Sequence, residues 1–189
     1  FYYGLQDSGR TTVRNTVIAQ CDRGLKANGA TRLINCTLYD NRIGVAIHCG
    51  SFAITNSIVA ESYESGIAFE CGTFDGVSHT DVWSSRTNGY VNYRGTPDPT
   101  GQNGNFSADP GFVDPERGDF RPGYRSPAID AADGAAAPAT DGRGAPRYSD
   151  PRTPTKGGTP TTSGAFADLG AFEFVENAVS GVDLVGIDV

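Results

Sequence analysis

The chain has 189 residues, a net charge of −7, and 25 glycines and 11 prolines. Its length allows one domain, or one and a half, with a sizeable hydrophobic core. The acidic balance argues against nucleic-acid binding, because phosphate contacts need a concentrated basic face, which the sequence does not indicate. No run of 18 apolar residues predicts a membrane span.

Residues 4–92 repeat about once every twenty residues, the period of a stacked repeat protein. Asn15, Asn35 and Asn56 begin three copies, and His79 begins a weaker fourth. A second column, with spacings of 20, 20, 22 and 23 residues, consists of Gly4, Gly24, Gly44, Gly66 and Gly89. Such a period indicates units that bury their apolar faces by stacking on one another.

Apolar residues keep fixed offsets from both columns. They lie two residues before the asparagine position (Val13, Leu33, Ile54, Val77), three after it (Ile18, Leu38, Val59, Val82), and one after the glycine (Leu5, Leu25, Val45, Ile67). Short alternating segments favour strands over helices. Residues 1–95 therefore predict an all-β, right-handed parallel β-helix of about four to five turns. Stacked asparagine amides are expected to hydrogen-bond from turn to turn.

Composition changes after this repeat. Residues 96–174 are rich in Pro, Gly and Asp and predict an irregular C-terminal cap with wrapping loops. Within it, the alternation in residues 167–174 predicts one further strand. Residues 175–189 predict a linker and a lone terminal strand, which either begins a further domain or is donated to another copy.

The order of the motifs carries a resemblance. NCTLYDN and NSIVAES are followed by GNFSADPGFVDPERGDF, SPAIDA, DGRGAPR and DLGAFEF. This order is similar to the C-terminal part of bacterial secreted right-handed β-helix proteins of the pectate-lyase-like superfamily, including a surface-anchoring C-terminal region. The resemblance implies an extracellular or bacterial cell-surface location. It leaves the activity open, because the group includes polysaccharide lyases, hydrolases, epimerases and noncatalytic surface proteins.

Two of the four cysteines are candidates for a disulfide. Cys49 and Cys71 are each followed by Gly and occupy matching positions on adjacent turns. A strand spacing of about 4.8 Å lies within the Cα range of a disulfide. The alternatives are a Cys49–Cys71 disulfide and two stacked thiols. Cys21 and Cys36 occupy different positions in their turns and are not expected to face each other.

Two carboxylates are candidates for catalysis. Asp40 and Glu61 each follow their asparagine by five residues, so adjacent turns would place them near the separation of about 5 to 5.5 Å found in retaining glycosidases. Ordinary surface charge is the alternative. Lys26 stacks on alanines with no acidic cluster, so no lyase centre is predicted. Candidate ligand-binding residues are Arg42, Tyr63 and Trp83.

The densest carboxylates lie in the predicted cap. Asp109, Asp114 and Asp119 are candidates for a structural calcium, which takes six to eight oxygen ligands. Their spacing matches no calcium loop, and Asp next to Pro or Gly has an ordinary role in turns. We therefore expect no cofactor, with a structural calcium as the alternative.

Two functional hypotheses follow. The first is an extracellular bacterial surface or matrix protein with a structural, adhesive or filament-assembly role. Further turns or another copy would then cover the open first turn. The alternative is the C-terminal part of a polysaccharide lyase or glycoside hydrolase. The sequence favours the first, because no catalytic cluster is evident. The terminal-strand residues predicted to make assembly contacts are Val182, Leu184, Val185 and Ile187.

Overall fold

A computed structural model describes residues 2–149, 151 and 157–174. Over these ranges the regular secondary structure consists of β-strands, apart from one short 3-10 helix at Pro115–Arg117. The described part of the chain contains no helix long and apolar enough to cross a membrane. The predicted terminal strand, including Val182, Leu184, Val185 and Ile187, lies outside the described residues.

Three parallel sheets form a solenoid of about four turns, which confirms the predicted fold class. Each turn contributes one strand to each sheet. Sheet A contains β1 (Tyr3–Asp7), β4 (Arg23–Ala27), β7 (Ile43–Ile47), β10 (Ser65–Phe69) and β13 (Val91–Arg94). Sheet B contains β2 (Arg10–Arg14), β5 (Ala30–Ile34), β8 (Ser51–Thr55) and β11 (Thr73–Ser78). Sheet C contains β3 (Val17–Ala19), β6 (Thr37–Tyr39), β9 (Ile58–Ala60) and β12 (Asp81–Trp83).

The strand register confirms the predicted apolar columns. Leu25 pairs with Val45, which pairs with Ile67, and all three side chains are fully buried. Like side chains thus stack along the interior and form its hydrophobic core. One assignment was wrong: β13 pairs with β10 so that Asn92, and not Gly89, continues the glycine column.

The asparagine column marks a corner of the solenoid. Asn15, Asn35 and Asn56 have φ angles of 50°, 49° and 54°, and His79 has 43°. Among residues other than glycine, asparagine adopts this left-handed conformation at unusually low cost. The repeat therefore uses asparagine wherever the chain bends between sheets B and C.

A second corner lies between sheets C and A. Gln20, Asp40 and Glu61 have φ angles of 58°, 53° and 54°. Each of these turns therefore has two bends, and one left-handed residue forms each bend. The second corner positions both candidate catalytic acids.

Among the described residues after β13, the structure is irregular apart from one hairpin and the short 3-10 helix. This hairpin pairs β14 (Phe112–Asp114) with β15 (Asp119–Pro122). The strand predicted over residues 167–174 is absent from the described structure, so that prediction was wrong. Gly170 has a φ of 83°, and the polar side chains of Asp168 and Glu173 are buried, which is incompatible with an alternating strand that exposes one face.

Residues 126–149 and 157–174, which we call the wrap, cover the outer face of sheet C. Ile58 and Ala60 on that face pack against Ala128, Ala131 and Leu169 of the wrap. The wrap thus lies along the side of the solenoid and buries Ile58 and Ala60 of β9 on the outer face of sheet C.

The wrap is anchored to the asparagine corner. Asn15 donates to the carbonyl of Thr140 at 2.8 Å, and Asn35 donates to that of Asp168 at 2.9 Å. Asn56 donates to Asn35 at 3.1 Å. The expected amide-to-amide bond therefore forms between Asn56 and Asn35. In the described structure the amides of this column bond mainly to the wrap.

A buried ion pair holds the wrap together. Arg147 donates to Glu173 at 2.5 Å, and both side chains are 1% exposed. Arg147 also donates to Asn15 at 3.1 Å. The backbone amides of Asp168 and Tyr148 donate to Glu173 at 3.1 Å and 3.2 Å. Burial raises the pKa of Glu173, although the charge of Arg147 opposes that effect. This pairing links the end of the wrap to the first turn.

Candidate functional site

The second corner brings the two candidate catalytic acids onto adjacent turns. The backbone amide of Asp40 donates to the carbonyl of Ala60 at 3.1 Å, and that of Glu61 donates to the carbonyl of Trp83 at 3.0 Å. The repeat thus stacks Asp40 on Glu61. The neighbours of the two carboxylates decide whether they can act on a substrate.

Both acids contact Arg86, which follows β12. Arg86 Nη2 lies 3.1 Å from Asp40 Oδ1, and its Nε lies 3.7 Å from Glu61 Oε2. The guanidinium also stacks over the ring of Tyr63, 3.8 Å from its centroid. Arg86 therefore pairs with both acids, and its single positive charge offsets one of their two negative charges. The sequence analysis missed this residue because it lies in a loop outside the repeat columns.

The remaining oxygens also have partners. Ser85 donates to Glu61 from its backbone amide and from its hydroxyl, both at 3.0 Å. A hydrogen bond to Asp40 raises the pKa of Tyr63. A retaining glycosidase needs its two carboxylates free to face a sugar between them. Here the acids organise a polar cluster of Asp40, Glu61, Tyr63, Ser85 and Arg86, which we call the corner cluster.

A groove of about 380 Å³ lies beside this cluster, against the hairpin. Trp83 and Tyr39 line it from sheet C, Phe112 lines it from β14, and Glu61 and Asp109 supply carboxylates. Tyr39 packs edge-on against Phe112, with ring centroids 5.9 Å apart. Aromatic faces beside hydrogen-bond acceptors are suited to a ring that is apolar on one face and hydroxylated at its edge.

Arg42 belongs to a separate ladder of charges beside sheet A. Its Nε lies 2.6 Å from Asp22 Oδ1, and it also pairs with Glu64, which in turn pairs with Arg94. Hydrogen bonds from Arg42 lower the pKa of Asp22, and those from Arg94 lower the pKa of Glu64. The candidate ligand-binding cation Arg42 is thus neutralised by its own neighbours.

The three calcium candidates have local partners. Asp109 accepts from the amide of Gly111 at 2.8 Å, Asp114 pairs with Arg117 at 2.9 Å, and Asp119 pairs with Arg121 at 2.5 Å. Asp114 and Asp119 face each other across the hairpin. Within the described ranges, no three His, Cys, Asp or Glu residues are grouped so that they could hold a metal ion.

The structure joins Cys49 and Cys71 in a disulfide, with Cα atoms 4.8 Å apart. The bridge lies at the corner between sheets A and B, where His48 pairs with Glu70. Cys21 and Cys36 are free thiols. Burial raises the pKa of Cys36 to about 11, so this thiol is unreactive at neutral pH.

In comparisons with models of protein families, with curated proteins and with solved structures, the chain has no match. The fold alone therefore defines its class, which is that of the parallel β-solenoids.

Proposed function

We propose that this protein is a noncatalytic, rigid element of an extracellular bacterial surface or matrix, with a pectate-lyase-like architecture and a role in adhesion or assembly. The observation that carries the proposal is the pairing of Asp40 and Glu61 with Arg86. The only stacked acid pair that the sequence predicted as catalytic stabilises a corner of the fold instead.

The wrap supports a mechanical role. Its hydrogen bonds to Asn15, Asn35 and Asn56 reach three successive turns. Separate turns of a solenoid otherwise contact only their nearest neighbours. A segment tied to several turns makes them unfold together, which suits a spacer that bears load.

The disulfide supports an extracellular location. Cys49 and Cys71 join two adjacent turns, and such bonds persist mainly in oxidising compartments. The same proposal includes a partner at the first turn. Leu5, Val13 and Cys21 are only partly buried there, and further turns or a second copy would cover them.

The groove beside the corner cluster favours a second candidate, action on or binding of a polysaccharide. Trp83 and Phe112 supply stacking surfaces, and Glu61 and Asp109 supply acceptors. In this alternative the chain is the C-terminal part of a polysaccharide lyase or glycoside hydrolase, and Glu61 is its acid.

Incubation with a panel of acidic and neutral polysaccharides separates the two proposals. New reducing ends and unsaturated ends are measured for the wild type, for Glu61→Gln, and for Glu116→Gln as an exposed control. We expect no cleavage by any of the three proteins. Cleavage by the wild type and by Glu116→Gln, lost in Glu61→Gln, would overturn the noncatalytic proposal.

A further inference from the structure

The outer face of sheet B is a flat, polar surface. Its strands present alternate residues outward, and the register stacks Arg10 on Ala30 and Thr12 on Arg32. Arg10, Arg14 and Arg32 are all exposed. The wrap packs against the outer face of sheet C, and the charges beside sheet A are paired with one another. The outer face of sheet B, in contrast, carries arginines and is not covered by the wrap.

The arginines of this face lack the partners that other cations have. In the described ranges, seven arginines pair with acids: Arg42, Arg86, Arg94, Arg117, Arg121, Arg143 and Arg147. Three further cations contact an aromatic ring: Arg23, Lys26 and Arg125. The described cations without an acid or ring partner are Arg10, Arg14 and Arg32. All three lie on one face of a protein with a net charge of −7.

The carboxylate of Asp7 does not neutralise this face. Asp7 is buried at the end of β1, where its oxygens accept from the hydroxyls of Thr11 and Thr31 at 2.5 Å and 2.6 Å. The backbone amide of Gly9 donates to the same carboxylate at 2.9 Å. The carboxylate of Asp7 is thus hydrogen-bonded to groups on the inner side of the sheet and does not pair with the arginines on the outer face.

A hollow of about 310 Å³ lies between two of the arginines. It is lined by Arg10, Thr11, Thr12, Ala30, Arg32 and Ser51. The small side chains of Ala30 and Ser51 follow Arg10 on the next two turns and leave this space open. Guanidinium donors flank the hollow, and hydroxyl donors line it.

We propose that the outer face of sheet B binds a linear polymer bearing sulfate or phosphate groups. Arginine donates paired hydrogen bonds to such oxyanions, and a tetrahedral group accepts from several directions at once, as the arginines and hydroxyls here supply. Arg10 and Arg14 are about 13 Å apart along β2, with Arg32 one turn away between them, so consecutive anionic groups of one chain can each meet an arginine.

This site is independent of whether Glu61 is catalytic. The sequence indicated no concentrated basic face, but the register places arginines from two turns side by side. The net charge of the whole chain is −7 and opposes the approach of a polyanion, so we expect binding where the three arginines lie together.

The test measures binding of the full chain to dextran sulfate, to polyphosphate and to uncharged dextran at several salt concentrations. The test variant is Arg10→Gln/Arg32→Gln. The control is Arg117→Gln/Arg125→Gln, which changes the net charge equally but lies in the irregular region. All four positions are exposed, and thermal unfolding checks that each variant is folded.

We expect the wild type and the control to bind at least one of the charged polymers and neither to bind dextran. The test variant should bind roughly tenfold more weakly or worse, and its log–log salt slope should fall by about two. Preference for dextran sulfate would assign a sulfated glycan, and preference for polyphosphate a phosphate polymer. Equal binding by the test variant and the control, binding to dextran, or no binding to either charged polymer would overturn the proposal.

Discussion

Asn56 donates from its side chain to Asn35 and to the carbonyl of Asp133, and its Oδ1 accepts from the amide of Asp133 at 2.7 Å. One buried amide therefore joins two turns of the solenoid and fixes the wrap to both. Its backbone is left-handed as well, with a φ of 54°. The same residue thus shapes the corner and anchors a segment 77 residues away.

Replacement of Asn56 by Ala should lower the free energy of unfolding by about 2 to 4 kcal/mol, because three hydrogen bonds are lost and a buried carbonyl loses its donor. Asn56→Gly keeps the backbone conformation and should recover about 1 kcal/mol of this loss. Urea unfolding measures both. Limited proteolysis should also cut the wrap faster in either variant.

Asn103→Ala is the matched control for Asn56. Asn103 is exposed and has a φ of 49°, so its replacement should cost only the backbone term of about 1 kcal/mol. Equal losses in Asn56→Ala and Asn103→Ala would show that the side-chain bonds to the wrap contribute nothing.

Asp81 should make stability fall as the pH rises. It is fully buried on the outer face of sheet C, and burial raises its pKa to about 8, with a smaller contribution from the charge of Asp109. Its pKa in the unfolded chain is about 3.9, so between these values the folded state binds the additional proton. The contribution of Asp81 to the free energy of unfolding is therefore fully present below about pH 4. It is lost as the pH rises from there to about 8.

Asp81→Asn removes this ionisation and retains an oxygen that can accept from the amide of Ala108, which lies 3.1 Å from Asp81 Oδ1. The variant should be more stable than the wild type at pH 8, and the difference should shrink as the pH falls towards 4. Denaturant unfolding at several pH values measures the difference. Asp75→Asn, at an exposed strand position, should show no such trend. A difference independent of pH would contradict the assignment to Asp81.

The disulfide should contribute about 3 kcal/mol, because it closes a loop of 22 residues in the unfolded chain. The free energy of unfolding of Cys49→Ser/Cys71→Ser should be lower by this amount. Addition of a thiol reductant should destabilise the wild type and leave the stability of the double variant unchanged. Thiol titration in denaturant gives a direct count. Two thiols, from Cys21 and Cys36, should react before reduction and four after it. Four reactive thiols in oxidised protein would show that the bond does not form.

The sequence predicted the structural features that recur in every turn, but not the contacts that occur only once. Apolar columns and the asparagine corner recur every turn, so the pairing of Leu25, Val45 and Ile67 was visible before the structure. The bond from Asn15 to Thr140 spans 125 residues and leaves no periodic signal. Arg86 was missed for the same reason. In residues 167–174 the alternation was misleading, because its polar residues are buried by bonds within the wrap.

The charge pattern shows the same limit. Arg10 and Arg32 are 22 residues apart, yet the register sets them on neighbouring strands of one face. A composition dominated by acids concealed that face. Alignment of the turns fixes which column each residue occupies, but the partners of a surface charge depend on loops outside the repeat.

Deletion of residues 176–189 tests the assembly role that we propose. The sequence there predicts a strand with apolar contacts at Val182, Leu184 and Val185, and such a strand can add to a sheet edge of another copy. Contacts of this kind that do not close a ring produce filaments. The full chain should form ordered fibres in negative-stain microscopy, and the deletion variant should sediment as a folded monomer.

Val182→Asp/Leu184→Asp in the full chain is the second variant in this experiment, because it keeps the length and changes only the contact surface. It should also remain monomeric, with an unfolding midpoint equal to that of the deletion variant. Fibres that persist in both variants would exclude the terminal segment as the contact. If the full chain is itself monodisperse, the assembly role is wrong, and the groove beside Trp83 becomes the site to test with polysaccharides.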